Sequence, residues 1–146
     1  MKSYIAKPKE VKREWLVIDA DGIVLGRLSA KVAAYLRGKH KATFSTSVDT
    51  GDFVVIVNAD KVRVTGNKMT DKLKYSHSGV PGGFKQVPFG VKFEKDPAET
   101  VRRVIKGMLP KNPLGRKMYK KLKIYAGNEH PHAAQCPRDV TVEVKK

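Results

Sequence analysis

The sequence has very little cysteine: Cys136 is the only one among 146 residues, so no intrachain disulfide can form. That scarcity fits a reducing compartment. No apolar run approaches the ~20 residues that span a bilayer. Residues 1–10 are basic and lack the apolar region of a secretory signal. We therefore expect a cytoplasmic protein that is not embedded in a membrane.

Acidic residues are also scarce, with 14 Asp and Glu against 30 Lys and Arg, which gives a formal net charge of +16. No Asp or Glu falls between Glu99 and Glu129. A compact domain with this surplus repels itself unless a polyanion neutralises it. Nucleic acid is the favoured polyanion, because Lys and Arg displace the counterions condensed on phosphates. Charge alone leaves RNA, DNA and an anionic membrane open.

The first third of the chain has the pattern of a strand, a helix and a second strand. Residues 15–18 form a short apolar run, and apolar residues then recur at helical spacing from Leu25 to Leu36, with Gly38 as the helix stop. Residues 53–57 are continuously apolar and β-branched, as in a strand buried on both faces. We expect two parallel strands joined by a crossover helix, in a sheet covered by helices on either side.

The rest of the chain has clear signals for two capped helices and weaker signals elsewhere. Asp96, Pro97 and Glu99 have the pattern of a capping box that starts a helix ending at Pro110. A second capped helix follows Asn112, with Leu114, Met118 and Leu122 facing inward. We also expect short strands at 62–65, 72–75 and 123–126, an otherwise irregular segment 68–95, a basic arm over 1–13, a tail over 128–146, and one domain over 1–146.

Two basic clusters are candidate phosphate-binding sites. In the helix after Asn112, four cations fall on the side opposite the apolar residues, with no carboxylate nearby in the sequence: Arg116, Lys117, Lys120 and Lys121. Contact with phosphates explains them better than a solvated face, which usually mixes both signs. Residues 37–41 follow the first helix, where the helix dipole accounts for only one or two of the cations.

Other motifs are weaker. Tyr75, His77 and the glycines up to Gly83 suit stacking on an unpaired base or a mobile surface loop equally well. Asp49-Thr50-Gly51 is a single triplet, whereas aspartic proteases need two such carboxylates. His130, His132 and Cys136 fall short of the four ligands of a closed zinc site. Residues 22–27 lie between a strand and a helix but lack the Gly-Lys-Ser/Thr of a P-loop.

Three stretches resemble the bacterial form of large-subunit ribosomal protein thirteen. They are 37–52, 57–67, and 104–116 together with 123–132, and the match runs from Lys7 to about Pro137. Its most specific parts are Gly107-Met108-Leu109-Pro110 and the segment from Tyr125 to His132. The chain departs from the family at Asn112, where members usually have Gly, and we expect Asn to keep the turn because it caps helices well and tolerates a left-handed backbone.

The resemblance implies a three-layer α/β/α fold around a small, mostly parallel sheet of about four strands. It also implies a structural protein of the large ribosomal subunit that binds the large ribosomal RNA early in assembly and touches neighbouring ribosomal proteins, without catalysis, cofactor or metal. Binding to its own messenger RNA as a repressor is a further expectation. The residues expected to contact RNA are Arg37, Lys39, His40, Lys41, Lys68, Lys106, Lys111, Arg116, Lys117, Lys120, Lys121, Lys123, His130 and His132.

Two rival functions remain at this stage. A phosphate-binding enzyme at the Gly22–Arg27 turn predicts saturable nucleotide binding by the isolated protein. A regulatory RNA-binding protein acting outside the ribosome would share the basic surface and is compatible with the ribosomal role.

Overall fold

The computed structural model describes residues 6–145. The first five residues of the predicted arm and Lys146 lie outside that range. Within it, helices and strands alternate along much of the chain: β1 Trp15–Asp19, α1 Leu25–Arg37, β2 Phe53–Val57, α2 Lys68–Asp71, β3 Leu73–His77, β4 Phe84–Pro88, α3 Phe89–Lys95, α4 Pro97–Met108, α5 Pro113–Lys120, β5 Leu122–Ile124, β6 Arg138–Asp139 and α6 Thr141–Lys145.

The central sheet has four strands in the order β5-β2-β1-β6, and every neighbouring pair is parallel. Val54, Val55 and Ile56 of β2 are completely buried, as their continuous apolar run predicted. Helices α1 and α4 pack against each other and contribute Leu28 and Ile105 to the hydrophobic core. The predicted α/β fold class is confirmed, and the parallel sheet is consistent with its three layers.

The ends of α1 and the starts of α4 and α5 follow from local residue chemistry. Gly38 adopts a left-handed backbone with φ of 81° and ends α1. Asp96 caps α4 by accepting a hydrogen bond from the Glu99 N–H at 2.9 Å. The reciprocal half of the predicted capping box is absent, because the Glu99 carboxylate pairs with Arg103 at 3.1 Å instead.

Several sequence-based boundaries are wrong. Residues 62–65 form only an isolated bridge, between Val24 and Arg63. The strand predicted at 72–75 is present as part of β3, but the rest of 68–95, predicted as irregular, also holds α2, β4 and α3. Leu122 belongs to β5 rather than to the preceding helix. Met108, an apolar residue in the helix predicted to end at Pro110, is 42% exposed at the end of α4.

The C-terminal segment packs against the core instead of forming a tail. Arg138 pairs with Leu16 where β6 joins the sheet edge beside β1. Val140 and Val144 are buried, whereas Val142 is exposed, as expected for a helical turn and not for the alternation of a strand. None of the helices in residues 6–145 is long and apolar enough to cross a membrane.

Candidate nucleic-acid interface

A basic pocket forms where α4 turns into α5. Asn112 caps α5 by accepting a hydrogen bond from the Gly115 N–H at 2.7 Å. A side chain at Gly115 would overlap the carbonyl oxygen of Pro110, so only glycine allows this turn. The turn brings together three of the predicted cations, which line a cavity of about 310 Å³ with Tyr119: Lys106, Lys111 and Arg116.

The electrostatics of this basic pocket favour an anion. The Lys106 ammonium lies 5.3 Å from the centre of the Tyr119 ring, in a cation–π contact. Burial raises the pKa of Tyr119, so the phenol stays neutral at physiological pH. Neither Lys106, Lys111 nor Arg116 has a carboxylate within 4.0 Å among residues 6–145.

The other cations of α5 and β5 divide into exposed and buried ones. Lys117 and Lys120 are exposed on α5, and Lys123 is half-buried in β5. Lys121 was predicted to face RNA, but it is buried and pairs with Asp49 at 2.6 Å. Its ammonium also donates to the backbone carbonyls of Gly51 at 2.8 Å and Leu36 at 3.3 Å. Lys121 is therefore an internal cation, and burial lowers its pKa despite the hydrogen bond that it donates to Asp49.

Several cations of the second predicted cluster, residues 37–41, also make contacts within the protein. Asp52 is buried and accepts from both Lys41 and His40, the latter at 2.7 Å. The guanidinium of Arg37 lies over the Phe44 ring at 5.9 Å, whereas Lys39 is exposed. Of the four predicted residues here, Lys39 is the one most available to a partner.

The Asp49-Thr50-Gly51-Asp52 segment has a structural role. A side chain at Gly51 would overlap the carbonyl oxygen of Leu36, so this loop runs directly against the last turn of α1. Asp49 holds Lys121 on one side of the loop, and Asp52 holds Lys41 on the other. Its two carboxylates thus neutralise cations that sequence spacing had assigned to a partner.

His130 and His132 do not extend into solvent. Both are half-buried, and His132 shares a hydrogen bond of 2.9 Å with the Tyr125 hydroxyl. The His132 ring packs on Trp15 with ring centres 5.0 Å apart, and the backbone N–H of His132 donates to His130 Nδ1 at 3.2 Å. No group of three His, Cys, Asp or Glu side chains within 6–145 is placed to hold a metal ion.

A second basic region adjoins the pocket along α4, and sequence reasoning missed most of it. Lys68 lines a cavity of about 240 Å³ with Lys72 and Met108. Lys72 also lines a groove of about 440 Å³ with Lys74, Lys92 and Arg103. These residues come together only once β3, β4 and α3 form. Within 68–95 the sequence predicted only the strand at 72–75, because the rest of the segment lacks the periodicity that would have predicted β4 and α3.

The Gly22–Arg27 turn lies where parallel α/β folds often bind phosphates, at the carboxyl end of β1. Here α1 has no side-chain cap, and the adjoining cavity is lined by Asp21 and by Val144 and Lys145 of α6.

The chemistry that the exposed cations of the basic pocket and α5 offer is charge neutralisation and positioning of phosphates.

The chain has extensive similarity to known proteins. The family model for ribosomal protein L13 matches residues 13–131. Large ribosomal subunit protein uL13 of Saccharophagus degradans is 55% identical over 142 residues, covering 97% of this chain and 100% of the relative. The uL13 proteins of Cellvibrio japonicus and Pseudomonas entomophila match with the same identity and coverage. The basic pocket lies within the matched region, and the chain belongs to the ribosomal protein L13 family.

Proposed function

We propose that this protein is a structural constituent of the large ribosomal subunit, in the cytoplasmic ribosome, and that it binds the large-subunit RNA. The observation that carries the proposal is the basic pocket: Lys106, Lys111 and Arg116 converge without a neutralising carboxylate, inside the region matched to the family. Neighbouring large-subunit proteins are the other expected partners. The role requires no catalytic step and no cofactor.

The proposed mechanism is neutralisation of phosphates from several RNA segments at once. Each Lys or Arg that contacts a phosphate releases condensed counterions, and the gain in affinity is independent of sequence. The exposed cations on the basic pocket and α5 contribute most: Lys106, Lys111, Arg116, Lys117 and Lys120. Lys39, Lys68 and Lys123 extend the contact, while Lys121 is excluded because it is buried.

Salt dependence tests the mechanism. The isolated protein should bind a large-subunit RNA fragment with an affinity that falls ~10³-fold or more between about 50 and 200 mM salt, as expected for many phosphate contacts. A fall of only about tenfold would contradict a broad ionic interface. Co-migration with large subunits in sucrose gradients, retained after a high-salt wash, tests the assignment in the cell.

The double substitution Arg116→Ala with Lys120→Ala tests the surface. It should weaken RNA binding while leaving the unfolding temperature unchanged, because both side chains are exposed. Lys31→Ala with Lys95→Ala removes the same charge from exposed positions outside the proposed interface and is the matched control. Equal losses from both pairs would mean that net charge, and not this surface, determines binding.

We also propose the protein's own messenger RNA as a second ligand of the same surface, since phosphate contacts do not distinguish one folded RNA from another. A reporter fused behind the leader of that messenger should lose expression when the wild-type protein is supplied. The Arg116→Ala, Lys120→Ala variant should not repress it. Repression that persists in the variant would assign regulation to a different surface.

A further inference from the structure

The β3–β4 hairpin presents aromatic side chains to solvent. Tyr75 is 60% exposed and Phe84 is 58% exposed, and their rings stack with centres 5.6 Å apart. Leu73 lies on the same face of the hairpin because it is two residues from Tyr75. A two-stranded hairpin is marginally stable alone, and exposed apolar patches of this kind usually mark interaction sites.

The groove beside the hairpin is strongly basic. Its walls carry Lys72, Lys74, Lys92 and Arg103 around a volume of about 440 Å³. Burial lowers the pKa of Lys74, and the positive charges of Lys92 and Arg103 lower it further, so the cations repel one another. Such mutual repulsion is relieved when an anion binds.

The acidic neighbour of this groove is Glu99, which pairs with Arg103 at 3.1 Å and lies 4.0 Å from Arg102. Lys72, Lys74 and Lys92 form no salt bridge within the described part of the chain. Three of the four cations in the groove are thus uncompensated.

The groove is continuous with the proposed RNA interface. Gly107 lines the groove, and the adjacent Lys106 lines the basic pocket at the end of the same helix. A side chain at Gly107 would meet nothing within 4 Å, so the helix surface between the two cavities is open. A polyanion leaving the basic pocket along α4 therefore reaches Arg103 and Lys74 next.

We propose that the hairpin and the groove form a second RNA-binding site, specific for an unpaired segment: bases stack on Tyr75 and Phe84 while the adjoining phosphates contact Lys72, Lys74 and Lys92. This inference rests on the proposed RNA-binding function and extends it. Stacking requires bases released from a duplex, and combined aromatic and cationic surfaces are the usual means of holding single strands. The loop glycines contribute the turn itself, since Gly79 and Gly82 have φ of 85° and 75°.

The test uses a fluorescent single-stranded oligoadenylate of about ten nucleotides, an RNA duplex of the same length, and large-subunit RNA. Tyr75→Ala with Phe84→Ala should weaken binding of the single strand by about fivefold or more, which corresponds to the loss of one or more stacked bases. Binding of the duplex should change by less than about twofold, since paired bases cannot stack on protein rings. Tyr75→Phe should retain single-strand affinity, because it keeps the ring.

Control variants separate the possible causes. Val142→Ala removes an apolar side chain that is 69% exposed on α6, away from the groove, and should leave both affinities unchanged. Lys74→Gln with Lys92→Gln should weaken binding of the single strand, whereas Lys31→Gln should not. Ultraviolet crosslinking to large-subunit RNA should label peptides that contain Tyr75 or Phe84.

The outcomes distinguish the two proposals. If wild-type protein does not bind large-subunit RNA, the proposed function fails. A different result would overturn only the second site: the wild-type protein binds, Arg116→Ala with Lys120→Ala weakens binding, and the hairpin variants bind oligoadenylate and ribosomal RNA normally. Hairpin variants that bind RNA normally but enter subunits less well would also overturn the second site, because a protein partner would then occupy the hairpin.

Discussion

At the residue scale, two adjacent lysines have opposite environments. Lys120 is exposed at the last turn of α5, whereas Lys121 is buried against the end of α1 and the start of β2. The difference arises from one carboxylate, Asp49, which reaches Lys121 from 72 positions away in the chain. Lys120 is available to phosphate, whereas Lys121 joins the end of α1 to the loop before β2.

Replacing Lys121 should therefore affect folding, and replacing Lys120 should affect binding. Lys121→Met leaves the carboxylate of Asp49, which is only 11% exposed, without its cation, and the free energy of unfolding should fall by about 3–5 kcal/mol. Lys120→Met should change it by less than about 0.5 kcal/mol. Urea denaturation followed by circular dichroism measures both. Adding Asp49→Asn to Lys121→Met should restore part of the loss, and no restoration would contradict the paired arrangement.

The residue scale also shows what sequence reasoning can reach. The caps at Asp96 and Asn112 were predictable because each bonds to an N–H three residues ahead. The burial of Lys121 was not predictable, because its partner is remote in sequence and becomes a neighbour only when the sheet forms. Likewise, a count of local carboxylates could not reveal that Asp52 neutralises Lys41.

At the scale of elements, the α4–α5 turn determines the shape of the basic pocket. Asn112, the departure from the family pattern, has φ of −132° and ψ of 175°, which is an extended backbone and not a left-handed one. Asn is suited to this position because its side chain caps α5. Asn112→Ala should lower the free energy of unfolding by about 1 kcal/mol, while Asn112→Gly should cost only a few tenths. Thermal unfolding of both variants measures the difference. Equal losses would show that the cap does not stabilise α5.

The two glycines on either side of the same turn should respond oppositely to alanine. Gly115→Ala forces a side chain into the Pro110 carbonyl and should destabilise the turn and weaken RNA binding. Gly107→Ala meets open space within α4 and should raise the free energy of unfolding by about 0.5–1 kcal/mol. Calorimetry with RNA titration separates stability from binding. If Gly107→Ala also weakens binding, RNA lies directly against that helix surface.

Element prediction succeeded where periodicity was strong and failed where burial was slight. The buried faces of α1 and β2 have clear apolar patterns, and both elements form as expected. Strand β3 was predicted only in part, at 72–75, and its partner β4 was missed, because both are almost wholly exposed and carry little of the alternation that identifies a strand. Their pairing depends on each other, and the groove they border was missed for the same reason.

At the scale of the whole molecule, two carboxylates, Asp139 and Glu143, help to hold the C-terminal elements β6 and α6 against the rest of the protein. Hydrogen bonds from Thr141 hold the pKa of Asp139 below its usual range, and the bond from the Tyr35 hydroxyl does the same for Glu143. Burial, with the bond to Glu143, raises the pKa of Tyr35 to about 12. The pair Tyr35–Glu143, at 2.6 Å, joins α1 to α6.

These shifts predict how the C-terminal elements respond to pH. A carboxyl group with a lowered pKa contributes stability above its ordinary value near 4 and loses it as pH falls through the folded value. Acid should therefore loosen β6 and α6 before it loosens β1, β2 and β5. The measurement is amide exchange, which should become faster at residues 138–145 after correction for intrinsic rates. Tyr35→Phe should reduce this acid dependence. Uniform loosening of all strands would contradict the prediction.

The pairing of β6 with β1 also constrains the order in which the sheet can assemble during synthesis. Asp19 and Thr141, joined by a hydrogen bond, are separated by 122 positions. Contacts of such separation form late and slow the folding of a domain. During synthesis, β1 emerges from the ribosome long before β6 has been made, so the sheet stays incomplete until residues 138–141 have emerged as well. Each new copy thus completes its sheet more than a hundred residues after β1 has been made.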